Sequence, residues 1–350
     1  MTIGINGNEA NVTHRVGIGQ YAFELLRHFP KLRVYLSSQP LSDMPDMDYQ
    51  VIPGHGLWTL TSLQKQLISE KDRPAVFFTP THYAPLYLPM PSVISIMDMS
   101  FERFPQYFNK KDLYQLKYWT WASALQAKKI LTISEFSKDE ICAIYRLPRN
   151  KVIVTYPGYD RQRFNPKAKG QNKYGDYILF LGTLQPRKNL ERLIEAFLGL
   201  KTDCKLVITG MINEGRGGWM NENIKASRKV ILTGFIPDKE VPVLMANAKA
   251  YILPSLYEGF GIPPIEAMAT GVPVVVSKVS SLPEICGDAA IYIDDPESVP
   301  SIKASLEKVL SLSAGQRQKR IDFGLDWVKR YNWKDTAKKT LGVLYEAAQR

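Results

Sequence analysis

Two carboxylates, Glu258 and Glu266, bracket the segment Glu258-Gly259-Phe260-Gly261-Ile262-Pro263-Pro264-Ile265-Glu266. A carboxylate accepts well from sugar or ribose hydroxyls but repels phosphate. Gly259 and Gly261 allow main-chain amides to approach a ligand closely, and two prolines suit the first turn of a helix. A helix N-terminus offers unpaired N–H groups and the positive end of the macrodipole, so a diphosphate is a natural guest. These groups together point to a ligand carrying both hydroxyls and phosphate. Glu258 should stand at the loop mouth and Glu266 in the first turns of the helix; the plain alternative is a strand-loop-helix with two solvated glutamates.

A second segment, Phe180-Leu181-Gly182-Thr183-Leu184-Gln185-Pro186-Arg187-Lys188-Asn189-Leu190, places two cations where a helix should begin. The macrodipole disfavours cations there, but the position makes sense if a polyanion rests between them. Arginine grips phosphate through two parallel bonds, while lysine acts as a compact charge. A solvated surface pair is the ordinary alternative. A third loop, His14 to Ala22, spaces Gly17, Gly19 and Ala22 like a dinucleotide fingerprint. The strand expected at 2–6 ends too early for that motif, and Arg33–Ser37 is followed by Ser38 and Gln39 instead of a ribose-binding acid. A nicotinamide dehydrogenase is disfavoured, and a glycine loop facing a cleft fits better. A fourth group, His82 and Tyr83 with Asp98, lies at two strand ends. His82 and Asp98 either act on an acceptor hydroxyl or serve as structural hydrogen-bond partners.

Positioning such loops requires strands that alternate with helices. Strands are expected at 2–6, 33–37, 75–79, 92–97, 130–134 and 152–156, with helices at 18–29, 59–69, 112–128 and 135–145. The second half repeats the pattern, with strands at 177–181, 205–209, 230–233, 250–254, 272–276 and 290–293. Its helices are expected at 189–200, 238–247 and 263–269. Alternation of this kind demands right-handed crossovers and parallel sheets covered on both faces. The fold class is therefore α/β, with two Rossmann-like domains facing across a cleft. The expected domains are 1–165 and 172–328, separated by the polar, breaker-rich run Asn165 to Lys173. A helix at Trp333–Ala348, within a tail of 329–350, should be capped by Asn332 and is expected to pack back on the first domain. Its apolar stripe is read as Trp333, Ala337, Leu341, Leu344, Tyr345 and Ala348.

The 350 residues suit two domains, and 45% hydrophobic with 23% charged content excludes a disordered or fibrous chain. Met1–Asn6 reads as a buried strand, not as a signal peptide. Cys142, Cys204 and Cys286 are few and far apart, which argues against a disulfide framework or a zinc site and favours a reducing cytoplasm. The net charge of +11 is shared evenly along the chain. No nucleic-acid-binding pattern accompanies it, so acidic ligands or anionic membranes are the better partners. Between Tyr107 and Lys129, Lys110, Lys111, Lys117, Lys128 and Lys129 alternate with Phe108, Tyr114, Tyr118, Trp119 and Trp121. That mixture suits a membrane interface, although a helix burying its aromatics is the commoner cause.

These motifs resemble the retaining GT-B glycosyltransferases of family GT4, especially bacterial mannosyltransferase-like members. Glu258 to Glu266 resembles the family's paired-glutamate motif, with Ser255-Leu256-Tyr257 as its lead-in. Gly182 with Arg187-Lys188-Asn189 is similar to the donor phosphate loop. Val16 to Tyr21 and Thr132 to Ser137 resemble two further family segments. The resemblance implies that Glu258 contacts the donor sugar and Glu266 the ribose, while Arg187 and Lys188 neutralise the departing diphosphate. It also implies donor contacts by the backbone at Gly259, Phe260, Gly261 and Ile262, by Gly17, Gly19 and Gly182, and by Gly234 and Phe235 near the base. Asp98 is assigned to catalysis, and His82 and Tyr83 to the acceptor. Many family members carry a His-Asp pair where this chain has Met97-Asp98, and a thioether cannot supply that polar contact.

The expected reaction is metal-independent transfer of a hexose, mannose favoured, to a glycan or lipid-linked hydroxyl with retention. GDP-mannose is favoured over a UDP-sugar as donor, and no cofactor is expected. The expected location is cytoplasmic, with peripheral contact at the inner face of the cell membrane as a further option. The alternatives are a non-catalytic nucleotide-sugar binder and a glycoside hydrolase using the two glutamates.

Overall fold

The computed structural model describes residues 2–168, 170–210 and 228–349. Met1, Lys169 and Arg350, which fall inside segments discussed above, lie outside the described residues. The chain divides into two compact units, Met1–Gly158 with Asn332–Arg350, and Tyr159–Tyr331.

The first unit contains β1 (Ile3–Asn6), α1 (Ile18–His28), β2 (Arg33–Leu36), β3 (Asp48–Val51), α2 (Ser62–Ser69), β4 (Val76–Thr79), β5 (Ser92–Ser95), α3 (Ser100–Arg103), α4 (Lys110–Gln126), β6 (Lys129–Thr132), α5 (Glu135–Tyr145) and β7 (Val152–Val154). Its strands form one parallel sheet in the order β3-β2-β1-β4-β5-β6-β7. Ile94, Ile96, Phe101, Ile130, Ile141 and Val152 form a core cluster on which Leu113 and Leu116 of α4 pack. Tyr35, Trp58, Leu63, Leu67 and Phe77 form a second cluster. Burial on both faces explains why these strands read as continuous apolar runs instead of alternating ones. Among the described strands of this unit only Asp48–Val51 escapes the sequence reading, being a half-buried edge strand with little apolar content; the short helix α3 escapes it too.

The second unit contains β8 (Tyr177–Leu181), α6 (Leu190–Leu198), β9 (Lys205–Thr209), β10 (Val230–Gly234), α7 (Val241–Ala246), β11 (Ala250–Leu253), α8 (Ile262–Ala269), β12 (Val274–Ser277), α9 (Leu282–Cys286), β13 (Ile291–Ile293), α10 (Val299–Leu310) and α11 (Ala314–Trp327). Its parallel sheet runs β10-β9-β8-β11-β12-β13. Helix α7 starts at Val241, three residues later than expected, with Pro242 in its first turn. The polar stretch from Asp160 packs with this unit. Phe164 is buried, and the Arg163 guanidinium donates to the Asp238 carbonyl at 2.6 Å.

The remaining helix, α12 (Trp333–Ala348), belongs to the first unit, against α1 and β4. Asn332 caps it, its side chain accepting from the amides of Lys334 and Asp335. Trp333 meets Tyr21 edge-on at 6.0 Å. The buried stripe is rotated from the one expected: Thr336, Thr340, Val343 and Ala347 face inward with Trp333, Ala337 and Leu344, while Tyr345 is exposed. Thr336 can be buried because its hydroxyl donates to the Tyr156 carbonyl at 2.6 Å. At Gly158 a side chain would lie 2.2 Å from the Trp333 nitrogen, so only glycine allows the two backbones to pass.

Both units are thus Rossmann-like, and both sheets reverse strand order beside their first strand. The reversal lies between β1 and β4 in one unit and between β8 and β11 in the other. Ligands in such sheets bind at the carboxyl ends of the strands flanking that reversal.

Candidate functional site

In the second unit, the loops following β8 and β11 are the ones that carry Arg187-Lys188 and Glu258. They are tied together at every level. The Leu256 amide donates to the Arg187 carbonyl at 2.8 Å, and the Arg187 guanidinium donates to the Tyr257 carbonyl at 3.0 Å. Lys188 Nζ lies 2.5 Å from Glu258 Oε1, and Arg187 Nη1 lies 3.4 Å from Oε2. Ser255 Oγ donates to Oε1 at 2.6 Å. The Glu258 carboxylate therefore sits between the two cations, where the sequence suggested a polyanion. It is also buried and not at an open loop mouth. Burial pushes its pKa up, but Lys188 and Arg187, with the bonds from Lys188 and Ser255, outweigh that and hold it below its ordinary value.

The cations do not begin the helix. Pro186–Lys188 forms a 3-10 turn, and Asn189 takes a left-handed conformation (φ 60°) before α6 starts at Leu190. Asn189 is held there by donating to the carbonyls of Pro254 (3.1 Å) and Pro296 (2.6 Å). This geometry removes Arg187 and Lys188 from the first helical turn, which carries Glu191 instead. Ser280, another residue with positive φ, accepts the Glu258 amide at 2.9 Å, and Ser281 donates to the Glu258 carbonyl at 2.9 Å. Non-glycine residues in this region are costly and cluster where the surrounding structure needs them. Ser280 and Ser281 were not singled out by sequence; they follow a strand as unremarkable polar residues. Ser255 carried a signal, since it precedes Glu258 by three positions.

Gly182, Gly210 and Gly234 end β8, β9 and β10 side by side. The Gly210 amide donates to the Gly234 carbonyl at 3.1 Å, and the Gly182 amide to the Thr209 carbonyl at 3.1 Å. A side chain on Gly210 would sit 1.8 Å from the Gly182 oxygen. Gly210 was missed because its sequence context is an ordinary strand end. Phe235 beside Gly234 is exposed.

Gly261 precedes α8 with φ 93°, and Ile262 is its first residue. The Phe260 side chain is buried edge-on against Tyr331 at 5.4 Å, so only its backbone remains to serve a ligand. Glu266 lies in the second turn of α8, half-buried. Burial pushes its pKa up to about 8; Arg163 works against the shift, and Asp160 and Asp238 add to it. Tyr251 of β11 feels both Glu258 and Glu266 and is raised mainly by its own burial. One glutamate is thus held ionised and the other biased toward the neutral acid.

In the first unit, the loop after β1 ends at Gly17, Gly19 lies in the first turn of α1, and the loop after β4 carries His82 and Tyr83. Gly17 caps α1 at φ 51° with open space beside it. A side chain at Gly19 would come within 2.9 Å of the Glu9 carbonyl. Glu9 was not anticipated; burial raises its pKa, and its charge acts on Tyr83, whose ring meets Trp119 edge-on at 5.6 Å. His82 Nδ1 is buried with no hydrogen-bond partner, and its ring meets Phe101. Burial lowers its pKa, partly offset by nearby Asp98. Asp98 accepts from the Ser100 amide at 2.9 Å, and Met97 is buried. His82 and Asp98 thus share one corner, and Tyr83 and Glu9 another. Among the described residues, no cluster of three or more His, Cys, Asp or Glu side chains could hold a metal ion.

The match to known proteins follows the same division. The family model described as glycosyl transferases group 1 matches residues 161–324, and that of glycosyltransferase family 4 matches residues 15–163. O-antigen chain mannosyltransferase B of Escherichia coli is 28% identical, over 93% of this chain and 95% of its own. An O-antigen chain mannosyltransferase of Salmonella typhimurium is 30% identical over 53% of each chain. The structure of Anabaena HepE in complex with UDP and glucose superposes with a TM-score of 0.77, covering 99% of each chain at 15% identity. Fold and site define a GT-B glycosyltransferase. The chain belongs to the glycosyl transferase group 1 family, and its activity is of the hexosyltransferase type.

Proposed function

We propose that the protein transfers mannose, with retention, from GDP-mannose to a hydroxyl of a glycan or lipid-linked saccharide. The observation that carries this reading is the junction of Arg187, Lys188 and Glu258 across the strand reversal of the second unit. Its net positive charge is carried on the loops after β8 and β11; the first of these begins at Gly182 and the second leads into the α8 N-terminus. In this reading the diphosphate takes Arg187 and Lys188 as partners, Glu258 meets the sugar and Glu266 accepts ribose hydroxyls. The base lies by Gly234 and Phe235, with Gly17 and Gly19 completing the donor contacts. His82 and Tyr83 receive the acceptor, and Asp98 assists its hydroxyl. Mannose is favoured by the activities for which the bacterial relatives are named.

The bond between the anomeric carbon and the diphosphate oxygen breaks while the acceptor oxygen bonds that carbon from the same face. The acceptor proton passes to the leaving phosphate. Negative charge grows on the diphosphate as the bond loosens, and preoriented cations in a mostly buried site stabilise that growth strongly. No metal is needed in this reading, because two cations occupy the position a divalent ion would serve; EDTA should leave turnover unchanged. Burial of Cys204 and Cys286 as free thiols supports a cytoplasmic setting.

The split between Glu258 and Glu266 also resembles the acid and base of a glycoside hydrolase. Glu258, however, has both oxygens engaged by Lys188, Arg187 and Ser255. A thermal-shift panel of nucleotide diphosphate sugars, followed by transfer assays, tests the proposal. Stabilisation and transfer with GDP-mannose are expected. Release of sugar from a nucleotide-free glycoside would instead establish the hydrolase, and binding without transfer to any acceptor would establish a mere binder.

A further inference from the structure

Glu9 lies in the loop after β1, on the flank of the strand reversal where a sheet of this kind receives a ligand. The backbone around it is fixed. The Asn8 amide donates to the Asn6 side chain at 3.2 Å, and the Asn8 side chain accepts from the Ser37 amide at 2.8 Å. On the other side, the Ala10 carbonyl accepts from Arg15 Nε at 2.6 Å. The Glu9 carbonyl lies so near Gly19 that a side chain there would come within 2.9 Å. The Glu9 carboxylate is the exception to this bonding. The residue is half-buried, and among the described residues its side chain has no hydrogen-bond or ion-pair partner. Burial raises its pKa, and no neighbouring cation among the described residues offsets the shift. Across the reversal stands Tyr83, half-buried and braced edge-on by Trp119. Burial first, and then the Glu9 charge, raise the pKa of its phenol, which stays protonated. The two groups are near enough for that charge to act, yet among the described residues no hydrogen bond joins them.

A partly buried carboxylate without a partner costs stability, and such groups concentrate where a ligand completes them. A sugar hydroxyl needs an acceptor for its proton and a donor for its oxygen. An ionised Glu9 can only accept, and the Tyr83 hydroxyl can donate, so a hydroxyl set between them is matched on both sides. The bond to the carboxylate is charge-assisted. A phosphate or a second carboxylate in that place meets like charge, which excludes it. We propose that Glu9 and Tyr83 select the acceptor: they hold one hydroxyl of a neutral sugar and turn away saccharides that carry phosphate or carboxylate at that position. The proposal rests on the transfer reaction proposed above. The hydroxyl held here is not the one that attacks, so the proton of the reaction still leaves with the phosphate.

The test is steady-state transfer from GDP-mannose to a panel of neutral mannose oligosaccharides and to matched ones carrying phosphate or a uronic acid. The wild type should use neutral members and discriminate against the anionic ones. Glu9→Gln should raise the KM for a neutral acceptor about tenfold, change kcat less than about threefold, and admit anionic members. Glu9→Lys should reverse the preference, and Tyr83→Phe should raise the acceptor KM about fivefold. Because Glu9→Gln removes an uncompensated charge, its melting temperature should equal or exceed that of the wild type. Wild-type KM and preference in Glu9→Gln would overturn the proposal alone. A fall in its melting temperature that accounts for the lost activity would also overturn it, assigning Glu9 to the fold. Absence of wild-type transfer to every member would overturn the transfer reading itself, and the proposal with it.

Discussion

The two sheets have the same order of strands around their reversal, yet the loops they carry there are built differently. In the second unit the loops after β8 and β11 are joined by a main-chain bond, a guanidinium–carbonyl bond and two ion pairs. In the first, the loop after β1 is anchored to the loop after β2. Arg15 pairs with Asp43, and Asn11 bonds the Gln39 carbonyl and the Leu41 amide. Its companion after β4 leaves Leu86 and Tyr87 exposed and His82 Nδ1 without a bond. One pair of loops is preorganised around fixed charge; the other presents adaptable, partly apolar surface. Preorganisation suits a diphosphate, whose charge is the same whatever sugar it carries, and adaptability suits an acceptor that differs between relatives.

The contrast can be broken most severely at glycine. Gly210→Ala drives a methyl group into the Gly182 carbonyl and should unfold the second unit or cost it more than about 4 kcal/mol. Gly17→Ala, with open space around it, should cost about 1 kcal/mol. Denaturant midpoints of the two variants measure the difference.

Charge comes next. Arg187→Ala or Lys188→Ala should lower turnover at least about a hundredfold with the fold intact, whereas His82→Asn should change the acceptor KM only about fivefold. Equal effects on both sides would erase the distinction between fixed and adaptable loops.

Glu266 sharpens the picture through pH. Its raised pKa means that the carboxyl favours the folded state when protonated. That contribution is complete below the ordinary glutamate pKa of about 4.5 and is lost as pH rises through about 8. Hydroxyls donate more strongly to the ionised than to the neutral carboxyl, so in the proposed reading donor affinity should rise severalfold as pH approaches about 8 and level off above it. Calorimetry across that range, with Glu266→Gln as a flat control, checks this.

A smaller effect is expected at Glu258. Glu258→Gln frees both cations from their internal counter-charge, so nucleotide diphosphate should bind about fivefold tighter even as transfer falls. Last is Met97→Leu, a buried swap of similar volume, which should cost less than about 1.5 kcal/mol and leave turnover within about threefold.

Much of this architecture is legible in the chain itself. Tyr177–Leu181, Lys205–Thr209 and Glu135–Tyr145 have the bounds their residue patterns dictate, because buried parallel strands and capped helices write strong local signals. The loops that form the site were legible for the same reason: glycine, proline and paired charges mark strand ends. What the pattern did not reveal depends on distant partners. Asn189 reverses its backbone only because Pro254 and Pro296 supply acceptors, so Arg187 and Lys188 leave the helix they seemed to begin. Gly210 matters only because Gly182 lies beside it, and Thr336 is buried only because Tyr156 offers a carbonyl.

The return of α12 to the first unit has a consequence for synthesis. The first unit is encoded on both sides of the second, so the ribosome delivers all of Tyr159–Tyr331 before the helix that covers α1 and β4 exists. Domains fold as units while they emerge. The later sheet can therefore mature first, leaving the earlier one to wait, with Tyr21 unsheltered, for Trp333 to arrive.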